Sequence, residues 1–194
     1  MTPRLVLAST STYRALLLQR LGVPFSAAPP ACDEEALKDP ALPVDQLALL
    51  LAREKARSLA AQFPDAFLLG GDQIVELDGQ ALGKPGTRER AIAQLRSMAG
   101  RRHRLWTAIV LRAPDGSEDV HLDQHTLTVR PLNDDELARY VDADQPLDCA
   151  GSYKIESRGI ALMESIEGAD FTAITGVPLI ALTSLLRARG FRIP

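Results

Sequence analysis

Near the start of the chain a short apolar run, Arg4 to Ala8, passes without a linker into the hydroxyl triplet Ser9-Thr10-Ser11. The segment from Ser11 to Leu21 then sets Leu17, Leu18 and Leu21 at helical spacing before Gly22 stops it. Strand, polar turn and helix are therefore the opening unit. The triplet falls at the strand end and the helix start, where backbone N–H groups without intrahelical partners favour an anion.

The same vocabulary continues. Val23 to Ala28 reads as a second strand ended by Pro29-Pro30, and a loop carries Asp33, Glu34 and Glu35. Val44 to Phe63 reads as a long amphipathic helix with Leu47, Ala48, Leu50 and Leu51 on one side, closed by Pro64. Ala66 to Gly71 is an apolar strand running into Asp72 and Gln73, and Ile74 to Leu77 continues extended to a turn at Asp78-Gly79. Thr87 caps a helix to about Met98, ended by Gly100. Leu105 to Leu111 and Asp119 to Val129 form a hairpin across Pro114-Asp115-Gly116. Asn133 with Glu136 three residues on starts a helix through about Val141, Gly159 to Met163 reads as a strand, and the last helix runs from Pro178 to Gly190. Helices alternating with strands, plus one hairpin, imply an α/β fold around a mixed sheet.

Composition narrows the function. With 194 residues, 46% hydrophobic and 24% charged, the chain can bury a substantial core, which excludes disorder as the main state and suits one domain with two lobes flanking a cleft. A net charge of -3, from 22 Lys+Arg against 25 Asp+Glu, gives no bulk attraction to nucleic acid. Apolar stretches such as Leu47 to Ala52 are far short of the roughly 20 residues that cross a bilayer, so no membrane partner is expected. The apolar run after Arg4 is too short for a signal peptide, and a cytoplasmic location follows by default. Cys32 and Cys149 lie far apart without a CxxC, and both read as buried or semi-buried thiols.

Neither GxxxxGK[ST] nor GxGxxG occurs. What remains is a scattered set: Ser9, Ser11 and Arg14 at the first helix start, Glu34 in the acidic loop, Lys55 on the long helix, Asp72, and Lys84 in Gly83-Lys84-Pro85. Hydroxyls, N–H groups and cations cover phosphate oxygens, and carboxylates hold Mg²⁺ or orient water. On spacing alone the plainer roles stay open: Ser9 and Ser11 as helix caps, Lys55 paired with a neighbouring glutamate, Lys84 and Asp72 as turn residues. His121, Asp123 and His125 share one strand face, which reads as a solvated hairpin face rather than a metal triad. Arg101, Arg102 and Arg104 near Trp106 read as a surface strand end.

Five segments in register, Leu7 to Arg14, Asp33-Glu34, Arg53-Glu54-Lys55-Ala56, Gly71-Asp72-Gln73 and Gly83-Lys84-Pro85, resemble the Maf family of nucleoside triphosphate pyrophosphatases over nearly the whole chain. Cys149 to Glu156 and Gly176-Val177-Pro178-Leu179 resemble its C-terminal half, and the first of these favours the 7-methyl-GTP pyrophosphatase branch. The resemblance implies an elongated fold akin to the inosine triphosphate pyrophosphatases, a homodimer, and a divalent cation, Mg²⁺ or Mn²⁺, in a cleft between lobes. It implies cleavage of a nucleoside triphosphate to a monophosphate and pyrophosphate, removing modified nucleotides from the pool. In that reading Asp72 is the proton acceptor, Glu34 and Asp72 hold metal, Ser9, Ser11, Arg14, Lys55 and Lys84 bind substrate, and Tyr13, Gln73 and Glu156 set base choice. Thr12, where the family usually has proline, and Ala15, where a second arginine is common, depart from the pattern. The alternatives are the dTTP/UTP branch of the same family and a non-enzymatic regulator of septum formation.

Overall fold

A computed structural model describes residues 3–39 and 41–194. In chain order the elements are β1 (Leu5–Ala8), α1 (Thr12–Gln19), β2 (Phe25–Ala28), α2 (Val44–Ser58), β3 (Phe67–Leu77), β4 (Gln80–Leu82), α3 (Arg88–Met98), β5 (Arg102–Arg112), β6 (Glu118–Val129), α4 (Asp134–Asp144), β7 (Met163–Glu167) and α5 (Leu179–Ala188). The strands form one seven-stranded sheet in the order β2-β1-β3-β5-β6-β7, with β4 pairing β3. β1 runs parallel to β2 and β3, whereas β3 with β4 and β6 with β7 are antiparallel, so the sheet is mixed as expected.

Two compact units divide the chain. The first comprises the described parts of Met1–Gln73, with Thr107–Asp123 and Asp170–Pro194; the second comprises Ile74–Trp106 and Gln124–Ala169. In the first unit, alternation along the strands sorts the residues by face. Leu5, Leu7 and Leu69 join Leu18 of α1 and Leu182 and Leu186 of α5 in one apolar cluster. On the other face lie Val6, Ala8, Leu68 and Gly70, and α2 comes so close that a Cβ on Gly70 would stand 2.0 Å from the Ala52 carbonyl oxygen and 2.8 Å from Ala56 N. Only a residue without a side chain fits that approach.

In the second unit α3 packs on α4, burying Leu95 and Met98 against a helix whose Leu137 and Val141 are also buried. α4 opens with the expected capping box: Glu136 N donates to Asn133 Oδ1 at 3.0 Å and Asn133 N to Glu136 Oε2 at 2.8 Å. Asp78 and Gly79, at φ 53° and 78°, make the tight β3–β4 turn, a conformation that matches the strand twist.

Three expectations require correction. Gly159 to Met163 is not a strand: Arg158–Leu162 is a 3-10 helix, and β7 begins only at Met163. The chain is folded back there, with Gly159 N donating to the Lys154 carbonyl at 3.0 Å and no room for a Cβ beside that oxygen. The long helix stops at Ser58 instead of Phe63, since the Ser58 hydroxyl donates to the Lys55 carbonyl and tight turns carry the chain on to Phe63. The strand face bearing His121, Asp123 and His125 is not solvated: Asp123 and His125 are buried, and only His121 is exposed to any extent. Gly168 makes room for the His125 ring, which a Cβ there would strike at 2.1 Å. Among the described residues no group of three His, Cys, Asp or Glu is placed to hold a metal.

Elsewhere the strand-end basic cluster is engaged with acids: Arg101 with Asp78, Arg102 with Glu167, and Arg104 with Glu76, which also accepts from the Trp106 indole. Both cysteines are free thiols, partly covered. Among the described residues no helix is long and apolar enough to cross a membrane.

Candidate functional site

The close approach at Gly70 sets the chemistry two residues later. Ala52, Lys55 and Ala56 lie on the buried side of α2, and Gly70 and Asp72 share a face of β3, so seating the helix on Gly70 carries the Lys55 side chain to Asp72. Lys55 Nζ lies 2.7 Å from Asp72 Oδ1 and 2.8 Å from Glu34 Oε2. Lys55 and Asp72 are buried at 6% and 7% exposure, while the Glu34 side chain is 42% exposed.

The loop that presents Glu34 is shaped locally. Asp33 Oδ1 accepts from the backbone N–H of Glu35 and of Ala36, an Asx turn, and Ala31 N donates to Ser58 Oγ at the end of α2. Cys32 sits in the same loop, where burial first and the Glu34 charge second push its thiol pKa up against the pull of Lys55.

The third wall is the start of α1. Ser11 is its N-cap, its hydroxyl accepting from Arg14 N at 3.4 Å, and Ser9 Oγ accepts from Ser11 N at 3.1 Å and from Arg14 Nη1 at 3.4 Å. Arg14 Nε donates to the Gly176 carbonyl at 3.3 Å, and the guanidinium passes beside Gly71, where a Cβ would lie 3.7 Å from Arg14 Nε, an ordinary contact. Burial lowers the Arg14 pKa, opposed by the charges of Asp72 and then Glu34. An arginine still carries its charge at neutral pH.

Ser9, Ser11, Arg14, Glu34, Lys55 and Asp72 are thus gathered in the first unit from four separate stretches of sequence. The plainer reading of Ser9 and Ser11 as caps also holds, because the same hydroxyls hold the helix start. Tyr13 is in the first turn of α1 and 41% exposed. Gln73 is partly buried, and its Nε2 reaches Thr107 Oγ1 at 3.0 Å, the Ala173 carbonyl at 2.8 Å and the Ile174 carbonyl at 3.0 Å.

Lys84 and Glu156 belong to the second unit, each exposed. Lys84 follows β4. Glu156 rides on a braced loop: Lys154 N donates to Tyr140 Oη, and Asp144 at the end of α4 accepts from Ser157 Oγ and Arg158 N.

Thr107, Asp170 and Thr172 were not singled out by sequence, although the structure ties them to Gln73 and Arg14. Asp170-x-Thr172 ahead of Gly176-Val177-Pro178 is a readable capping pattern; Thr107 carries no signal, being one inward residue of a long strand.

Two carboxylates beside a lysine, an arginine and a helix N-terminus can hold a polyanion and accept a proton at its edge. Asp72 and Glu34 are hard oxygen donors of the kind Mg²⁺ takes in ones and twos, completing its shell with water and substrate phosphates.

The family described as Maf-like protein matches residues 4–189. A 7-methyl-GTP pyrophosphatase of Xanthomonas campestris pv. campestris (strain 8004) is 51% identical over 194 residues, covering 100% of each chain. One from Aromatoleum aromaticum (strain DSM 19018 / LMG 30748 / EbN1) is 47% identical over 192 residues, covering 98% of each. Among solved structures, the Staphylococcus aureus Ham1 protein superposes with a TM-score of 0.55 at 14% identity, covering 96% of this chain and 99% of that one, and so shares the fold.

Proposed function

The chain belongs to the Maf-like family, and from that premise we propose that it is a nucleoside triphosphate pyrophosphatase acting on 7-methyl-GTP. The observation that carries the reading is the buried Lys55 ammonium held between Asp72 and Glu34 beside Arg14. The names of relatives close to half identical over their full length supply the substrate.

In this reading the triphosphate lies against the cationic side of the cluster. Arg14 and Lys55 screen its charge, and the N-terminus of α1 adds its positive end. Lys55 occupies Asp72 Oδ1, so Asp72 Oδ2 takes the proton from water as the water oxygen bonds to the α-phosphorus. The bond from that phosphorus to the bridging oxygen breaks, releasing pyrophosphate and the nucleoside monophosphate. Glu34 and Asp72 would hold a Mg²⁺ or Mn²⁺ ion, which supplies Lewis-acid stabilisation of phosphoryl oxygens when bound. N7 methylation makes guanine cationic, so the Tyr13 ring and the Glu156 carboxylate each offer chemistry that prefers it over GTP. Lys84 is proposed as a further phosphate contact, on the resemblance alone.

The test is pyrophosphate release from 7-methyl-GTP, GTP, dTTP and UTP, with and without chelator, by wild type and Asp72→Asn. The expected result is preference for 7-methyl-GTP, loss in chelator with recovery on adding Mg²⁺ or Mn²⁺, and a drop of about a hundredfold or more for the folded variant. Preference for dTTP and UTP would move the chain to the other branch. No turnover of any nucleotide would overturn the enzyme reading.

A further inference from the structure

Arg14 on α1 and Gln73 on β3 are held by a single loop, and that loop has its own anchor. Gln73 Nε2 meets the carbonyls of Ala173 and Ile174, and Arg14 Nε meets the carbonyl of Gly176. Thr107 Oγ1 completes the set, donating to the Ala173 carbonyl at 3.0 Å while it accepts from Gln73. The loop is a 3-10 turn, Ala173–Thr175, and ends at Gly176 with φ 116°, where a Cβ would come within 3.3 Å of the Arg14 side chain.

Asp170, 4% exposed, ties this loop to α5. Its Oδ1 accepts from Thr172 N at 3.0 Å and Thr172 Oγ1 at 2.6 Å, and its Oδ2 accepts from Ile180 N at 2.7 Å. Thr172 Oγ1 in turn accepts from Leu179 N at 2.9 Å. Pro178 has no side-chain oxygen to cap α5, so two N–H groups of its first turn are capped by residues from the far side of the loop. Both oxygens of one buried carboxylate thereby fix where the three carbonyls stand.

We propose that Asp170 is a positioning residue for substrate recognition, setting through the loop at 170–176 the guanidinium of Arg14 and the amide of Gln73. The amide has one possible orientation. Two of its three neighbours are backbone carbonyls, which only accept, so the nitrogen must face them and Oε1 is the atom left to meet a ligand. Gln73 therefore offers an acceptor, which suits a base edge bearing N–H donors, as guanine's does, and disfavours an edge of acceptors. This rests on the nucleotide reading above, but its structural half does not.

The experiment is ¹⁵N–¹H NMR of the Gln73 side-chain NH₂ and the Arg14 Nε–H, alongside pyrophosphate release from 7-methyl-GTP and UTP, for wild type, Asp170→Asn and Thr107→Val. Asp170→Asn puts an amide NH₂ against an N–H donor at Ile180 or Thr172, so both resonances should move toward solvent-exposed positions. Thr107→Val, nearly isosteric, should move the Gln73 signal alone. Asp170→Asn should lower kcat/KM for 7-methyl-GTP by about tenfold and narrow its ratio to UTP; Thr107→Val should narrow the ratio too, whereas a further variant, Thr107→Ser, which keeps the hydroxyl, should keep the wild-type ratio. Unmoved resonances in a folded Asp170→Asn would overturn the positioning role whatever the activity. Moved resonances with an unchanged substrate ratio would overturn its link to recognition. A wild type inactive on every nucleotide would overturn the function while the NMR still decides the loop.

Discussion

Replacing Lys55 with methionine keeps most of the apolar stem and deletes the ammonium, so it isolates what the charge does. Asp72 loses a partner at 2.7 Å while its side chain is only 11% exposed. Breaking a buried pair from one side costs about 3–5 kcal/mol, because the remaining charge is stranded. The Glu34 arm adds less than about 1 kcal/mol, since that carboxylate, 42% exposed, returns to water. Asp72→Asn leaves the ammonium with Glu34 as partner and should cost only about 1–3 kcal/mol. The double variant strands no carboxylate, so its loss should fall about 2–3 kcal/mol short of the sum of the two single losses. The assay is urea unfolding of all four proteins at pH 7. Additivity within about 0.5 kcal/mol would refute the claim that the pair is a coupled buried unit.

Gly70→Ala should destabilise the protein by about 3 kcal/mol or more and lower activity with it, because its Cβ meets the Ala52 carbonyl at 2.0 Å; Gly71→Ala, whose nearest neighbour is at 3.5 Å, should stay within about 1 kcal/mol. Thermal melts that rank the two alike would refute the helix-seating role. His103, 2% exposed and bonded to Tyr153 Oη at 3.0 Å, is held neutral by burial, which lowers its pKa to about 4 from 6.5. Its contribution is therefore intact above pH 6.5 and lost as pH falls toward 4, about 3 kcal/mol over the window; His103→Gln should flatten that part of the urea-midpoint profile, and an unchanged slope would exclude it. Tyr13→Ala and Glu156→Ala should each narrow the kcat/KM ratio of 7-methyl-GTP over GTP, by about 2- to 30-fold for the ring, and equal losses on both substrates would remove the base-reading assignment.

The legible parts of this chain are those whose cause is local. Thr87, Asn133 with Glu136, and Ser11 sit where a side chain can cap a helix, and all three do. The Pro114-Asp115-Gly116 turn is closed by its own backbone and by Asp115 Oδ1 accepting from Ser117 N. The misread parts have distant causes. Ile160-Ala161-Leu162 is apolar enough for a strand, but the segment before it is bonded back to Lys154 and to Asp144 of α4, which no periodicity records. His125 is buried because Gly168, 43 positions on, makes room for its ring. Gly70 reads as a strand interruption until the Ala52 carbonyl is placed against it. Within the candidate site, Lys55 and Asp72 were readable only through resemblance, since 17 residues and a change of element separate them; Thr107 acts through a backbone carbonyl, which has no residue type to read.

β3 divides the chemistry of the first unit between its two faces, and this gives the proposed mechanism a separable form. Asp72 shares a face with Gly70 and meets Lys55 from α2. Gln73, the next residue, points to the opposite face, where Gly71 lies beside Arg14, and meets Thr107 and the loop at 173–174. The proposed proton acceptor is thus governed by how α2 seats on β3, and the amide proposed to read the base by how Asp170 holds its loop. Damage to the first face should lower kcat on every nucleotide alike, as loss of a transition-state interaction does. Damage to the second should alter the ranking of nucleotides through Gln73, on top of whatever loss on all of them follows from displacing Arg14. One strand can carry both tasks in adjacent residues because its side-chain period is two, and Arg14, held by the loop on one face and within reach of the Asp72 charge, is the residue through which the two are coupled.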